Sequence, residues 1–323
     1  MLQEHQMMRS TRAIFFAVLL GNLCACGSGD SGENTGGFQS VSGFPEVISL
    51  GAVWSFGPED VWISADSGRM VHWNGSEWEV FELEKFEIML GIWGFSASDV
   101  WAVGGATLAR FDGTTWETTD LAKLASGIQN LNGIWASSRS DIWVVGSNST
   151  AAHFDGTSWR RYQAAGPDNT AVWGSGPDNV YAASTFRVAH WNGTSWSEIE
   201  TGEWSSGGES IWGFGPDNVW ISDGSELSHF DGSVWQTIEL DTMGEPSNLW
   251  GNGPDNLWGV GTFGSIFHFN GNQWRQLAVQ KMGSPYLRVF HDVHGSEHGD
   301  VWIIGGQMGA GGNQLLIYRR DPR

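Results

Sequence analysis

The chain is poor in cysteine and in basic residues. Its 323 residues contain 2 Cys, both within the first 26 positions, and 16 Lys and Arg against 36 Asp and Glu, so the formal net charge is −20. Disulfide bonds therefore cannot hold a fold that lies beyond residue 26. A surface this acidic repels phosphate backbones, which excludes nucleic acid as a partner.

Long apolar runs are also lacking. The run from Ala13 to Leu20 follows two Arg residues and is too short to span a bilayer, which is typical of a secretory signal. It ends in Leu23-Cys24-Ala25-Cys26, which resembles the lipobox of bacterial lipoproteins. The resemblance implies that residues 1–25 are a signal peptide, that Cys26 is acylated, and that Gly27 directs the protein to the outer membrane. The alternative is an ordinary secretory signal with two incidental thiols.

Catalytic and cofactor motifs are missing as well. The sequence has no Gly-x-Ser-x-Gly elbow, no His-Glu-x-x-His and no phosphate-binding glycine loop. We therefore expect no enzyme activity, no cofactor and no metal site. A carboxylate pair for glycan cleavage stays open, because two acids can meet from distant parts of a chain without leaving a motif.

Tryptophan and glycine, in contrast, are abundant, with 21 Trp and 46 Gly. Four markers recur, and they include every Trp except Trp204. The first is Trp54, Trp93, Trp135, Trp173, Trp212, Trp250 or His294. The second, always eight residues later, is Trp62, Trp101, Trp143, Tyr181, Trp220, Trp258 or Trp302. The third is an aromatic before Asp-Gly or Asn-Gly, at residues 73, 111, 154, 191, 230 and 269. The fourth, always five residues later, is Trp78, Trp116, Trp159, Trp196, Trp235 or Trp274.

The composition of each unit predicts four short strands, because runs of β-branched and aromatic residues are separated by Gly, Pro, Asn and Asp. Gly-Pro-Asp-Asn predicts a type I turn between strands one and two, and Asp-Gly or Asn-Gly predicts a tight hairpin with two positive-φ residues between strands three and four. Four-stranded units of about 40 residues are typical of β-propeller blades. A linear β-solenoid is the rival architecture.

The ring of blades must also close. Unit seven stops before a fourth strand, and Phe38-Gln39-Ser40-Val41 matches the fourth-strand pattern. We therefore predict an all-β, seven-bladed propeller over residues 38–323, closed by an N-terminal strand. Residues 27–37 lack apolar side chains, so segment 26–37 is predicted to be a flexible tether.

Units such as IWGFGPDNVWISDGSELSHFDGSVWQTIEL resemble tectonin-type repeats. They also resemble kelch units, through Gly104-Gly105 and Gly305-Gly306, and the Trp-Gly-rich propellers of predicted myxobacterial lipoproteins. The resemblance covers residues 49–323. It implies a propeller, and the tectonin likeness implies binding of carbohydrate or lipopolysaccharide.

Spacing separates two faces of the predicted ring. The connections from strand two to three and from strand four to the next blade vary in length, and antiparallel blades place both on one face. Surface loops commonly carry function, so this face is the predicted binding face. The candidate ligand-binding residues are Trp204, Tyr162, Phe186, Arg187, Phe263 and Tyr286. Neutral drift of the loops, and packing of Trp204 against its own loop, are the alternatives.

These observations favour a monomeric binding module of the cell envelope. Its expected partner is a glycan or a surface protein, and its only expected link to the membrane is the lipid anchor. Two other functions stay open: a structural or assembly subunit of an envelope complex, and a glycan hydrolase or lyase. His72, His153, His190, His229 and His268 share one register but lie in different blades, too far apart to ligate one ion, so a structural role is expected for them.

Overall fold

The computed structural model describes residues 37–322 except for 165, 185–186, 202–207, 241–245, 278–287 and 310–311. The described residues form seven antiparallel sheets of four strands each. The first strands contact one another in sequence around a central axis, and the first strand of blade seven contacts that of blade one. The predicted seven-bladed propeller is confirmed.

The strands follow in chain order. Blade one holds β2 (Leu50–Gly57), β3 (Asp60–Ala65), β4 (Arg69–Trp73) and β5 (Trp78–Glu82). Blade two holds β6 (Gly91–Ser96), β7 (Asp99–Gly104), β8 (Thr107–Phe111) and β9 (Trp116–Asp120). Blade three holds β10 (Leu131–Ser138), β11 (Asp141–Gly146), β12 (Thr150–Phe154) and β13 (Trp159–Gln163). Blade four holds β14 (Asn169–Gly176), β15 (Asn179–Ser184), β16 (Val188–Trp191) and β17 (Trp196–Ile199).

The remaining blades repeat this arrangement. Blade five holds β18 (Ser210–Gly215), β19 (Asn218–Ser222), β20 (Leu227–Phe230) and β21 (Trp235–Ile238). Blade six holds β22 (Pro246–Gly253), β23 (Asn256–Gly261), β24 (Ile266–Phe269) and β25 (Trp274–Leu277). Blade seven holds β26 (Arg288–Gly295), β27 (Val301–Gly309), β28 (Gly312–Arg320) and, as its fourth strand, β1 (Phe38–Ser40). A 3₁₀ turn covers Asp66–Gly68, and the helix α1 covers Leu121–Leu124. Neither of these described helices is long and apolar enough to cross a membrane.

The eight-residue spacing of the first two markers follows from strand pairing. Trp54 lies opposite Trp62, and the other six pairs of markers are matched in the same way. In blade four, Gly176 pairs with Asn179, so Pro177 takes the first corner of a two-residue turn. Asp178 at the second corner does not have a positive φ, which agrees with the predicted type I turn.

The outer hairpins differ from the prediction. Trp73 pairs with Trp78 across a four-residue loop in which only Gly75 has a positive φ, of 91°. The Oδ1 atom of Asn74 instead accepts hydrogen bonds from the backbone N–H groups of Ser76 and Glu77, each at 3.0 Å. The prediction of two positive-φ residues is therefore wrong, because a side-chain cap replaces one of them. Asp or Asn caps the same loop in blades two to six.

The histidines of the common register stabilise their own blades. Each ring lies against the second-marker aromatic, with centroids 4.1–4.7 Å apart. Each Nε2 also bonds an Asp or Asn at the start of the second strand, at 2.5–3.0 Å. Arg110 in blade two and Arg319 in blade seven cover Trp101 and Trp302 in the same way, at 5.0 and 5.7 Å. This register therefore fixes the second-marker aromatics.

Adjacent blades share one repeated aromatic contact. At six of the seven junctions, a ring at the fourth-marker position packs edge-on against the second-marker ring of the preceding blade, with centroids 5.2–6.3 Å apart and interplanar angles of 76–90°. The junction of blades two and three, where both rings lie within the described residues, lacks this contact. Phe38 makes this contact for blade seven, against Trp258. The strand β1 pairs with β28 in the register Phe38 to Arg320, so the predicted closure by an N-terminal strand is confirmed.

Replacement of Phe38 by Ala tests the closure. Phe38 is 3% exposed, so its truncation should lower the free energy of unfolding by about 3–5 kcal/mol, as core Phe-to-Ala changes do. Phe86→Ala is the matched control, because Phe86 is 84% exposed and its loss should cost less than about 0.5 kcal/mol. Urea unfolding of both variants is the measurement. Equal stabilities would contradict the closure.

Candidate binding face

The two faces of the ring are built from different connections. Turns between strands one and two and between strands three and four form the fixed-turn face. The connections from strand two to three and from strand four to the next blade form the variable-loop face. Because each blade is an antiparallel sheet, the first strand of a blade starts at the variable-loop face and ends at the fixed-turn face.

Exposed apolar side chains are concentrated on the variable-loop face. Nine large apolar side chains are exposed among the described residues, and all but Val80 and Val234 lie on connections or strand ends of this face. The seven are Ile48, Phe86, Leu90, Leu124, Phe263, Val289 and Met308. Exposed apolar groups that share one side of a protein are typical of an interaction surface. The predicted choice of face therefore has a second, independent support.

The fixed-turn face exposes acidic side chains, as the variable-loop connections also do at Glu84, Glu87 and Glu239, but among its described turn residues only Val234 is a large exposed apolar group. Its turns expose Glu59, Glu77, Asp112, Asp155, Asp178, Asp217, Asp231, Asp255 and Glu297. The backbone N–H groups of their own loops hold the pKa values of Asp112 and Asp231 below the usual range, so these side chains stay ionised. A ring of solvated carboxylates does not favour contact with an apolar partner.

A central vestibule opens on the variable-loop face. It has a volume of about 150 Å³ and is lined by the first strands of all seven blades. Its floor is the ring of first-marker aromatics, in which Trp54 stacks on His294 with centroids 4.0 Å apart and touches Trp93 at 5.0 Å. Polar residues two or three positions before these aromatics line its wall.

The polar residues of the vestibule wall also tie neighbouring blades together. The Nδ2 atom of Asn132 donates to the carbonyl of Asn169 at 2.7 Å, and Oγ1 of Thr170 donates to the carbonyl of Gly208 at 2.6 Å. Their positions are therefore fixed by hydrogen bonds before any ligand arrives, which lowers the entropic cost of binding.

Two carboxylates give the vestibule its charge. Glu209 and Asp292 both line it. The Oδ2 atom of Asp292 accepts a hydrogen bond from the N–H of Val53 in blade one at 2.7 Å, and Oδ1 accepts from the N–H of Val293 at 2.9 Å. Burial raises the pKa of Asp292 to about 7, although these two N–H groups act in the opposite direction. The group therefore changes charge near neutral pH.

His294 of the floor stays neutral. Its Nδ1 accepts a hydrogen bond from the N–H of Ser55 at 3.0 Å, which places the ring proton on Nε2. Burial lowers the pKa of His294 to about 3. Within the described residues, no group of three or more His, Cys, Asp or Glu side chains is arranged to hold a metal ion.

The candidates named from the sequence do not form one described site. Cys26, Trp204, Phe186 and Tyr286 lie outside the described residues. Arg187 is exposed just before β16, and its Nη1 lies 2.5 Å from Oε2 of Glu198. Phe263 is exposed in the β23–β24 connection with a φ of 60°, a conformation rare for a bulky residue. A ligand contact of these residues stays a prediction.

Tyr162 lies elsewhere than predicted. It belongs to β13 rather than to a connection, and its ring packs against Trp143 and Trp191 with centroids 5.5 and 5.1 Å away. The sequence spacing misplaced it because the fourth strand of blade three extends to Gln163.

The polar residues of the vestibule wall were not identified from the sequence. They lie two or three positions before a first marker, and this short spacing was the available signal: Asn132, Thr170, Glu209, Asn248 and Asp292.

Comparisons with known proteins support the fold. No protein-family model and no curated protein matches this chain. Among solved structures, "YCF48 bound to D1 peptide" has 16% identity and a TM-score of 0.65, over 89% of this chain and 97% of that chain. YCF48 from Cyanidioschyzon merolae has 15% identity and a TM-score of 0.65, over 88% and 99%. The WD40 β-propeller domain of Doa1 has 12% identity and a TM-score of 0.66, over 87% and 97%. At these identities the likeness establishes the fold alone.

The opposite pKa changes of Asp292 and His294 predict a pH effect on stability. Below about pH 6.5, His294 is protonated in the unfolded chain, whereas in the folded protein it stays neutral down to about pH 3. His294 therefore lowers the free energy of unfolding as the pH falls through this range. Between about pH 3.8 and 7, Asp292 is protonated in the folded protein and ionised in the unfolded chain. Asp292 therefore lowers the free energy of unfolding as the pH rises through this range.

Asp292→Asn removes the second of these effects. Between pH 4 and 6.5, the unfolding free energy of the variant should rise with pH more steeply than that of the wild type, by about 1 kcal/mol per pH unit. Urea unfolding of both proteins across this range is the measurement. The other carboxylates contribute equally to both proteins, so their effect cancels when the two unfolding free energies are subtracted. Parallel plots of unfolding free energy against pH would contradict the burial of Asp292.

Proposed function

We propose that this protein is a non-catalytic binding module that holds a polypeptide segment of a partner protein on its variable-loop face. The observation that carries the proposal is the asymmetry of the ring: within the part of the chain that the structure describes, seven of the nine exposed large apolar side chains lie on this face. Exposed apolar groups among polar residues are typical of an interaction surface, and one of the seven, Leu90, also lines the vestibule.

The residue types favour a polypeptide over a glycan. Five of the seven exposed side chains are aliphatic or thioether groups: Ile48, Leu90, Leu124, Val289 and Met308. These groups lack the flat π-face that stacks on a sugar ring, and they are suited to contact with apolar side chains of another protein.

The vestibule adds a preference for positive charge. Glu209 and Asp292 line it, and the chain as a whole carries a net charge of −20. A Lys or Arg side chain that enters the vestibule would favour the ionised form of Asp292. The preferred segment therefore carries a basic residue beside apolar ones. The structure of YCF48 with a bound D1 peptide supports the proposal in one respect, since it is a structure of similar fold with a peptide bound.

Peptide selection tests the proposed function. Random peptides selected on the full chain should be enriched in Lys or Arg next to apolar residues. Leu90→Ser, at the edge of the vestibule, should weaken binding of a selected peptide at least tenfold, a loss of about 1.4 kcal/mol. Val234→Ser is the matched control, because Val234 is exposed on the fixed-turn face. Fluorescence polarisation measures both.

Two results would overturn the proposed function. One is an equal loss of peptide binding in the two variants, which would remove the variable-loop face as the site. The other is binding on a glycan array, lost in Leu90→Ser, with no peptide selected. That result would support the glycan alternative.

We also propose that the module is held at the outer membrane through acylated Cys26. The support is the Leu23-Cys24-Ala25-Cys26 motif behind the short apolar run. Cys26→Ser should abolish incorporation of a labelled fatty acid and leave the protein unprocessed or soluble. Unchanged labelling of this variant would contradict the anchor.

A further inference from the structure

A second feature of the ring lies on its outer wall, between the outer strands of adjacent blades. Three residues after each fourth-marker position, a side chain of the outer strand points toward the next blade. At six junctions this side chain is apolar and half-buried: Val41, Phe81, Tyr162, Ile199, Ile238 and Leu277. In blade two the residue is Thr119, which is exposed.

The large side chains at this position fill a defined space. Phe81 packs between Trp62 of its own blade and Phe111 of the next, with centroids 5.4 and 5.5 Å away. Tyr162 packs between Trp143 and Trp191 in the same way. The equivalent pair at the junction of blades two and three is Trp101 and Phe154, and there the filling side chain is missing.

A crevice takes its place. The blade 2–3 crevice has a volume of about 480 Å³, and its walls include Trp101, Leu108, Thr119, Phe154 and Trp159. This volume lies within the range of about 300–1,000 Å³ that is usual for small-molecule sites. Trp159 and Trp101, both described, do not make the edge-on ring contact that joins the other blades, so their rings also border the crevice.

The side chains around the crevice are held in place. The Nε atom of Arg110 donates to Oδ1 of Asp99 at 3.0 Å, while its guanidinium covers Trp101. Arg139 of blade three bonds the other oxygen of Asp99. Arg110 is therefore fixed at the wall. Half of the lining is polar, and the polar residues lie beside three aromatic rings and two Leu side chains: Arg110, Glu117, Thr119, Thr157 and Ser158.

We propose that the blade 2–3 crevice binds a small aromatic molecule, whose ring occupies the position that Phe81 and Tyr162 fill at other junctions. The rings of Trp101, Phe154 and Trp159 favour an aromatic ligand, and the polar half of the lining suits a hydroxyl or amine substituent. The crevice shares Leu124 with the variable-loop face, but the proposal rests on the outer-strand side chains and does not depend on the proposed function.

The test uses 2-naphthol as the probe and the full chain as the protein. Isothermal titration should give a Kd of about 1 mM or lower for the wild type. Thr119→Phe places a ring from the chain itself in the crevice. It should therefore weaken binding of the probe more than tenfold and raise the melting temperature of the protein by a few degrees. Thr237→Phe is the matched control, because Thr237 is exposed on the outer strand of blade five. It should bind the probe like the wild type.

The outcomes are distinct. A wild type that does not bind the probe overturns the proposal, and so does a Thr119→Phe variant that binds it unchanged or melts at a lower temperature. If Thr119→Phe fails to fold, Thr119→Leu, which copies the Leu277 side chain of blade six, replaces it with the same expected loss of binding. Loss of probe binding in Thr237→Phe would also overturn the proposed location.

Discussion

The edge-on contact between aromatic rings of adjacent blades is the interaction on which the rest of this structure depends. A single four-stranded blade buries little apolar surface, since both of its faces would be open to water. At six of the seven junctions, the contact between a fourth-marker ring and the second-marker ring of the preceding blade removes apolar surface of both rings from water. A closed ring of blades supplies every blade with a predecessor. Phe38 supplies the contact at the last junction, where it packs against Trp258.

This arrangement leaves the strand ends free for other roles. The aromatic contacts lie within the strands, and buried residues of the connections, such as Met89, Leu121 and Ile128, add to the core at the variable-loop face. On the fixed-turn face, loops such as Asn74–Glu77 are closed by side-chain caps and keep one length. On the other face the loops vary, apolar side chains are exposed, and the first strands converge on the vestibule.

Much of the fold could be predicted from the sequence, because each marker has a local physical cause. The spacing of eight is a strand pair with a two-residue turn, and the match of Phe38 to the fourth-strand pattern gave the closure. The hairpin type was wrong because Asx capping by Asn74 competes with a positive φ, and dipeptide composition does not separate the two.

The candidate sites were less accessible to sequence reasoning. The vestibule depends on seven strand starts that meet at one axis, and the residues that converge there, such as Asn132 and Asp292, are more than 100 positions apart in the chain. The blade 2–3 crevice arises from a missing side chain at Thr119. A small residue is noticed only when the outer strands are aligned by their position in the blade.

Hydrogen exchange with and without a selected peptide tests the central claim most directly. If the variable-loop face holds the peptide, amide exchange should slow in residues 86–91, 130–133 and 246–249, which lie at this face around the vestibule. Exchange in the outer hairpins of the fixed-turn face, such as residues 112–115, should not change. Slower exchange confined to those hairpins, or to the outer wall of the ring, would contradict the account.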